Sequence, residues 1–474
     1  MTFVRYKKFG KKEYAYEIKG TWDSENKKTV LKSKYLGVVI DRDKKIYEKV
    51  KRGVKKEKLI LDFGDIYSLD HCFKFSGFYS LLEEVFEEDY NKLCSLLLYK
   101  ICYGSAMMYA KTWLDGSYAK ILHKNMNLSS QRISEFLMKI GDENLQRKFF
   151  QQYFSEFINS KRSIIIDVTS LPNQIHIPLS SWGLSGEEID KQIRFLLAVD
   201  KDSKNPLFFR ILPGNIVDVS TLQGTIAELK RYGIKNSFVY VDAGFFSEDN
   251  LKEMYENEID FLIRLPSIRT LYIDLIRTEL KDIESLSNVV RYGKRGMFIK
   301  QKEIELFGRK AYAHIVLDPE RKGRETSKLI TQMIDEKEEH EGTELENYFL
   351  RRGIMILVSS SKIDKKEVVP TYYIRQTAEN LFGFSKDDLG IIPLRVHKEA
   401  TLRGFLFLQF IVLIAFMQIK NKLGKEYTVE EAILCLRNLK CKVYDNEILI
   451  SEPTKQQKEI ADKLGVLMPK VVGI

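Results

Sequence analysis

Two aspartates stand where carboxylates are expensive to keep. Asp167 directly follows Ile164-Ile165-Ile166, and Asp242 ends the run Phe238-Val239-Tyr240-Val241. Both runs have the composition of buried strands. A carboxylate placed there needs a partner, a bound metal or a shifted pKa. Gly244 allows a sharp turn just after Asp242. Two Asp at the ends of neighbouring core strands would point into one crevice. The competing reading is a turn-forming Asp that caps an adjacent helix.

A third group lies between Tyr372 and Lys386, with Arg375 and Glu379 inside the stretch. At roughly 100° per residue on a helix, Tyr372, Arg375, Glu379 and Lys386 share an arc of about 60°. Ile374, Ala378 and Leu381 fall on the far side. One face is then core, and the other presents an acid flanked by two bases and a phenol. Taken alone, Arg375 and Glu379 also fit an ordinary i,i+4 surface pair worth about 0.3 kcal/mol. Gly383 weakens the helix.

The elements that must carry these groups fall into blocks. Residues 1–60 read as short strands with basic turns, a small β-rich module. Residues 61–160 read as a helical domain, with Leu81, Leu82, Val85 and Phe86 at helical spacing. From 161 to 266 the order is three strands, a helix, a strand, a helix and a strand. The last strand of the first trio ends at Leu212, and a helix is expected over 221–232. That is the element order of a ribonuclease-H-like α/β sheet. Residues 267–350 interrupt it with β-type sequence, including a hairpin around Gly293 to Gly296. Strand character returns after Gly353, and helices fill the rest of 351–425. Residues 426–474 form a tail with no assigned structure.

Composition narrows the class. The 474 residues are 44% hydrophobic and 30% charged, as in a globular chain, with a net charge of +10. Residues 1–60 hold 19 Lys and Arg against 8 Asp and Glu, a net +11, so the remainder sums to −1. A solvated face could carry that surplus, and so could a nucleic-acid grip. The five Cys are scattered without CxxC spacing, against a disulfide framework or a zinc site. There is no phosphate-binding GxxxxGK[ST] loop, no strand-linked GxGxxG and no HExxH. The apolar stretch Phe405–Ile419 contains Gln409 and Gln418 and is short for a membrane span, so a buried core helix is expected. With no apolar signal core at its start, the chain is expected to be cytoplasmic, without a membrane partner. His176, His314 and His397 are isolated and read as ordinary structural histidines.

The spacing Tyr-x2-Arg-x3-Glu-x6-Lys, met by Tyr372, Arg375, Glu379 and Lys386, resembles the signature of DDE transposases of bacterial insertion sequences, in insertion-sequence family four and its close relatives. Asp167 in Ile-Ile-Ile-Asp-Val-Thr-Ser and Asp242 in Val-Asp-Ala-Gly-Phe-Phe resemble that family's two Asp motifs. The stretch Pro213-Gly214-Asn215 with Asp218 is also similar to these proteins. The resemblance spans about residues 1–420.

The resemblance implies a ribonuclease-H-like (retroviral-integrase-like) core interrupted by a β-rich insertion. It implies Asp167, Asp242 and Glu379 as catalytic metal ligands for two Mg²⁺ ions per active site, with Mn²⁺ as a substitute. Carboxylate oxygens suit such hard cations. Tyr372, Arg375 and Lys386 would contact DNA phosphates. The implied partners are double-stranded DNA, both transposon terminal inverted repeats and target, and a second copy in a homodimer on paired ends. The implied setting is prokaryotic and nucleoid-associated. The implied reaction is metal-dependent cleavage of transposon ends and strand transfer, an endonuclease and polynucleotidyl transferase activity without ATP. In relatives a Trp of the insertion stacks on a flipped base. Here residues 267–350 hold no Trp, and Tyr292, Phe298 and Tyr348 offer the available aromatic faces. Two other readings stand beside this one: an inactive or domesticated DNA-binding protein, and a metal-dependent nuclease of the same fold that never joins strands.

Overall fold

The computed structural model describes residues 2–9, 12–23, 28–49, 58–158, 162–185, 188–216, 219–234, 238–336, 348–387, 391, 394, 396–445 and 447–473. Asp218 and residues 337–347 lie outside these residues. The chain divides into two compact units. The smaller comprises Met1–Leu59 with Lys442–Leu449 and Gly473, and the larger comprises nearly all the rest.

In the smaller unit, β1 (Thr2–Phe9), β2 (Lys12–Asp23), β3 (Lys28–Asp41) and β4 (Ile46–Glu48) form an antiparallel sheet in sequential order. Few side chains are buried there; Ala15 and Ile18 are. Aromatic pairs instead knit the strands, as where Tyr16 meets Tyr35 at 5.4 Å. Arg42 lies over the Tyr6 ring at 4.5 Å. Trp22 is 66% exposed.

The larger unit begins at Ile60, within β5 (Leu59–Asp62), and continues with a helical region: α1 (Gly64–Phe75), α2 (Phe78–Phe86), α3 (Tyr90–Tyr103), α4 (Ala110–Gly116), α5 (Ala119–Leu122), α6 (Ser130–Ile140) and α7 (Glu143–Phe157). Their apolar stripes are buried, including Leu81, Leu82, Val85 and Phe86. Asp142 caps α7, its carboxylate accepting from the N–H groups of Asn144 and Leu145.

A ten-stranded sheet follows. Its elements are β6 (Ser163–Pro172), β7 (Ser181–Ser185), β8 (Glu188–Asp200), β9 (Pro206–Pro213), α8 (Val219–Arg231), β10 (Phe238–Val241), α9 (Glu248–Glu256) and β11 (Asp260–Arg264). Then come α10 (Thr270–Glu279), β12 (Val289–Tyr292), β13 (Arg295–Leu306), β14 (Arg309–Leu317), α11 (Pro319–Glu336) and β15 (Ile354–Ser359). Strands β9, β8, β6, β10 and β11 lie side by side in that order. β6, β8 and β9 pair antiparallel, whereas β10 runs parallel to both β6 and β11. The isoleucines before Asp167 are fully buried, as the apolar run requires.

Residues 267–350 contribute both helix and strand. Their strands β12, β13 and β14 continue the same sheet, because β14 pairs with β15 and β15 with β11. The β15 run is buried throughout.

Beyond β15 come α12 (Lys365–Tyr373), α13 (Gln376–Asp387) and α14 (Glu399–Leu423). The single helix expected across Tyr372–Lys386 is therefore two. At the junction the Arg375 N–H bonds to the Tyr372 carbonyl and the Ala378 N–H to the Arg375 carbonyl, so the ladder tightens to three-residue spacing. Pro370 also removes one donor from α12. Helix α13 packs on the sheet, with Phe382 edge-on to Phe195 at 6.3 Å.

By length and hydropathy α14 could cross a membrane, yet 89% of its most apolar window is buried inside the protein. Phe407 meets Phe149 at 5.2 Å and Phe410 meets Phe209 at 5.0 Å. Gly404 and Gly141 let α14 and α6 touch backbone to backbone, since a Cβ on either would collide with a carbonyl of the other helix. The C-terminal residues are structured too: α15 (Val429–Arg437), β16 (Lys440–Val443), β17 (Glu447–Ile450), α16 (Lys455–Leu464) and β18 (Val471–Gly473).

Candidate active site

The parallel register of three strands sets the site. Tyr240 pairs with Ile165 on one side and Leu262 on the other. Two residues further on, the same register brings Asp167, Asp242 and Arg264 abreast. Side chains alternate with period two along a strand, so the three share one face. Strand β10 ends at Val241, and pairing between β6 and β10 ends at Ile165. The carboxylates therefore stand where the strands part.

The α12–α13 junction closes over this row. Arg375 Nη1 donates to Asp167 Oδ2 at 3.3 Å and lies 3.8 Å from Asp242 Oδ2. Arg375 Nη2 lies 2.8 Å from Glu379 Oε1. One guanidinium thus joins three carboxylates from β6, the end of β10 and α13. Tyr372 Oη donates to Asp242 Oδ1 at 2.8 Å. Asp167 Oδ1 accepts from the Val168 N–H at 3.0 Å. Arg375 Nε is buried with no hydrogen-bond partner among the described residues, so the arginine is held by charge rather than by a complete set of bonds.

The site grades from dry to wet. The Asp167 side chain is 12% exposed, that of Asp242 35% and that of Glu379 47%. Burial pushes the Asp167 carboxyl up to about 7, and the nearby Asp242 and Glu379 charges add to this. Arg375 and the Val168 N–H oppose the shift without cancelling it. Burial also pushes Asp242 up, but Arg375, the Ala243 N–H, Tyr372 and Arg264 outweigh it and hold that carboxyl below its ordinary range. The Tyr372 phenol is raised, by burial first and then by Asp242. Two adjacent acids pushed in opposite directions are a frequent mark of a working site.

Five of the six residues singled out from sequence come together here: Asp167, Asp242, Tyr372, Arg375 and Glu379. Lys386 lies on α13, and its side chain is outside the described residues. Sequence reasoning missed Arg264. Its signal was present, a cation ending the strand after the Asp242 strand, but only the parallel register shows that the two are neighbours. Tyr292, one of the aromatic faces noted above, stacks on Tyr373 at 5.3 Å.

Could these residues hold divalent cations? Three carboxylates face Arg375 and Arg264, and all the donors are hard oxygens, which fits Mg²⁺. Among the described residues no three acidic, His or Cys side chains are already arranged as a metal cage. Arg375 stands between the acids instead.

Residues 159–415 match the family described as the transposase DDE domain, more than half of the chain. The chain belongs to the DDE transposases. All the site residues of this DDE transposase lie inside the matched segment. No curated protein matches the sequence. Among solved structures the transposase is similar to the piggyBac transposase synaptic complex with hairpin DNA, at 12% identity and a TM-score of 0.39, over 84% of this chain and 72% of that one.

Proposed function

We propose that this transposase cuts the ends of a mobile DNA element and joins them to target DNA, with Asp167, Asp242 and Glu379 holding two divalent cations. The observation that carries the reading is the convergence of those three carboxylates, from three separate elements, on Arg375. The strand order β9-β8-β6-β10-β11, three antiparallel and two parallel, supports a ribonuclease-H-like core. The Tyr-x2-Arg-x3-Glu-x6-Lys spacing supports the insertion-sequence family-four type.

The chemistry that such cations supply is activation of water or of a DNA 3′-hydroxyl, and stabilisation of the leaving oxygen. The chain's own residues prepare for it. Asp167 sits deepest, where exclusion of water strengthens any charge it meets. Tyr372 fixes one oxygen of Asp242 and leaves the other facing Arg375. Glu379 is the most exposed of the three acids. Arg375 is long enough to leave the acids for a DNA phosphate, to which a guanidinium binds through two parallel bonds. Lys386, further along α13, would add a second phosphate contact. Arg264 balances Asp242 from the far side of the row.

The basic sheet of residues 2–48 would grip DNA by its phosphates, with Trp22 and exposed rings such as Phe9 as stacking surfaces. Two copies would hold two element ends together.

The test uses the full chain, Mg²⁺, DNA carrying the inverted repeats that flank its gene, and a supercoiled plasmid. Cut ends should appear first and joined plasmid products later. Cleavage with a persistent absence of joined product would instead favour a hydrolytic nuclease.

A further inference from the structure

Away from the carboxylates, the helical region holds a cavity of about 520 Å³ between the α3–α4 connection, α6 and the start of α14. That volume lies in the range of small-molecule sites. Met107, Met108, Ile133, Leu137 and Phe405 make its wall largely apolar. Among the described residues, the charged members of the wall are Lys100, Lys398 and, when protonated, His397, with no Asp or Glu.

Lys100 is the unusual member. It is 1% exposed, and among the described residues its ammonium donates one hydrogen bond, to the Ser105 carbonyl at 3.3 Å. An ammonium has three donors. No carboxylate among the described residues pairs with it. Leaving a buried cation so poorly matched is costly unless something else completes its shell. Burial pushes this lysine down to about 8, so at neutral pH it still carries its charge for most of the time.

The helix ends add to the same field. Ser130 opens α6, and Lys398 and Thr401 lie at the start of α14, where they flank Glu399, an acid paired with Arg403; Ser130, Lys398 and Thr401 line the cavity. Neither helix has a side-chain cap on its first N–H groups. The N-terminus of α6, which has no acid in its first turn, favours an anion.

We propose that this cavity binds a small amphipathic monoanion, an alkyl carboxylate, with its carboxylate on the Lys100 ammonium and its chain against Met107, Met108 and Phe405. A carboxylate would supply the acceptors that Lys100 lacks, and the apolar wall would take a chain rather than bare phosphate. The site is independent of the metal chemistry proposed above.

The experiment is calorimetric titration of the full chain with octanoate, 1-octanol and inorganic phosphate. Octanoate should bind saturably at about one per chain, with 1-octanol and phosphate at least about tenfold weaker. Lys100→Met keeps the stem and removes the charge, and it should weaken octanoate about tenfold or more while leaving 1-octanol unchanged. Should Lys100→Met fail to fold, Ser134→Trp, at an exposed position on the rim, should block both alkyl probes. Equal binding of octanoate and 1-octanol, phosphate binding as tight as octanoate, octanoate binding indifferent to both substitutions, or no saturable binding would each overturn the proposal.

Discussion

Arg375 and Asp167 are 208 residues apart in sequence, yet a guanidinium nitrogen of one lies 3.3 Å from a carboxylate oxygen of the other. The pair is mostly shielded from water, and the same guanidinium reaches Glu379 at 2.8 Å. Arg375 therefore occupies, with a single positive charge, the space that three carboxylates surround.

Removing that charge should expose the repulsion among the acids. Arg375→Gln is expected to lose on the order of 1–3 kcal/mol in chelator, because buried acids are left unpaired. Mg²⁺ should then raise its melting temperature more than it raises that of the wild type. Equal Mg²⁺ responses in the two proteins would show that Arg375 and the cation do not share the carboxylates.

Asp167 gives a signed pH dependence. Its folded pKa, about 7, lies above the ordinary carboxylate value. The folded state therefore binds this proton more tightly than the unfolded chain does. Stability from this group is complete below about pH 4 and is lost as pH rises to about 7. In chelator, the stability of Asp167→Asn relative to wild type should rise from pH 5 to pH 8, by on the order of a few kcal/mol at most. Thermal melts of both proteins at the two pH values check this, and a pH-independent difference would remove the assignment.

Tyr372→Phe isolates one hydrogen bond to a charged acceptor. The loss expected is about 1–2 kcal/mol, since the ring stays packed. With Asp242 free to turn, half-maximal DNA cleavage should need more Mg²⁺. Denaturant unfolding and a Mg²⁺ titration of cleavage measure the two effects separately. A stability loss with an unchanged Mg²⁺ requirement would make Tyr372 a packing residue only.

How much of this was legible in the residues depended on the range of the contact. The isoleucines before Asp167 fix a buried strand by their own chemistry, and the spacing of Leu81, Leu82, Val85 and Phe86 marks the buried stripe of α2. The break between Tyr373 and Gln376 was not legible, because one tightened turn does not alter the apolar spacing. Nor was the joining of β14 to β15. That pairing is set by burial of Ile354–Val358 across the gap 318–353, and hydropathy alone does not choose between a separate hairpin and an extended sheet. Arg264 stayed hidden for the same reason, since its partner is chosen by register. Nothing in its sequence neighbourhood sets Lys100 apart from an ordinary helical lysine; its burial comes from packing.

Backbone contact between α6 and α14 offers a test of the fold that is independent of chemistry. A methyl group at Gly404 would collide with the Leu137 carbonyl, while one at Gly383 meets nothing within 4 Å. Gly404→Ala should destabilise by about 1–3 kcal/mol through overpacking, and Gly383→Ala should be neutral or stabilise by up to about 1 kcal/mol. Similar changes at both sites in denaturant titrations would contradict the close approach.

The central claim, that the three acids work as one metal-holding set, is tested most directly by end-DNA cleavage with Mg²⁺ in wild type, Asp167→Ala, Asp242→Ala and Glu379→Ala. Each substitution should abolish cleavage to below about a thousandth of the wild-type rate, and the double variants should be no worse than the singles, since residues that act as a unit are not additive. Cleavage that survives in Asp167→Ala, in protein whose far-ultraviolet spectrum is unchanged, would contradict the account.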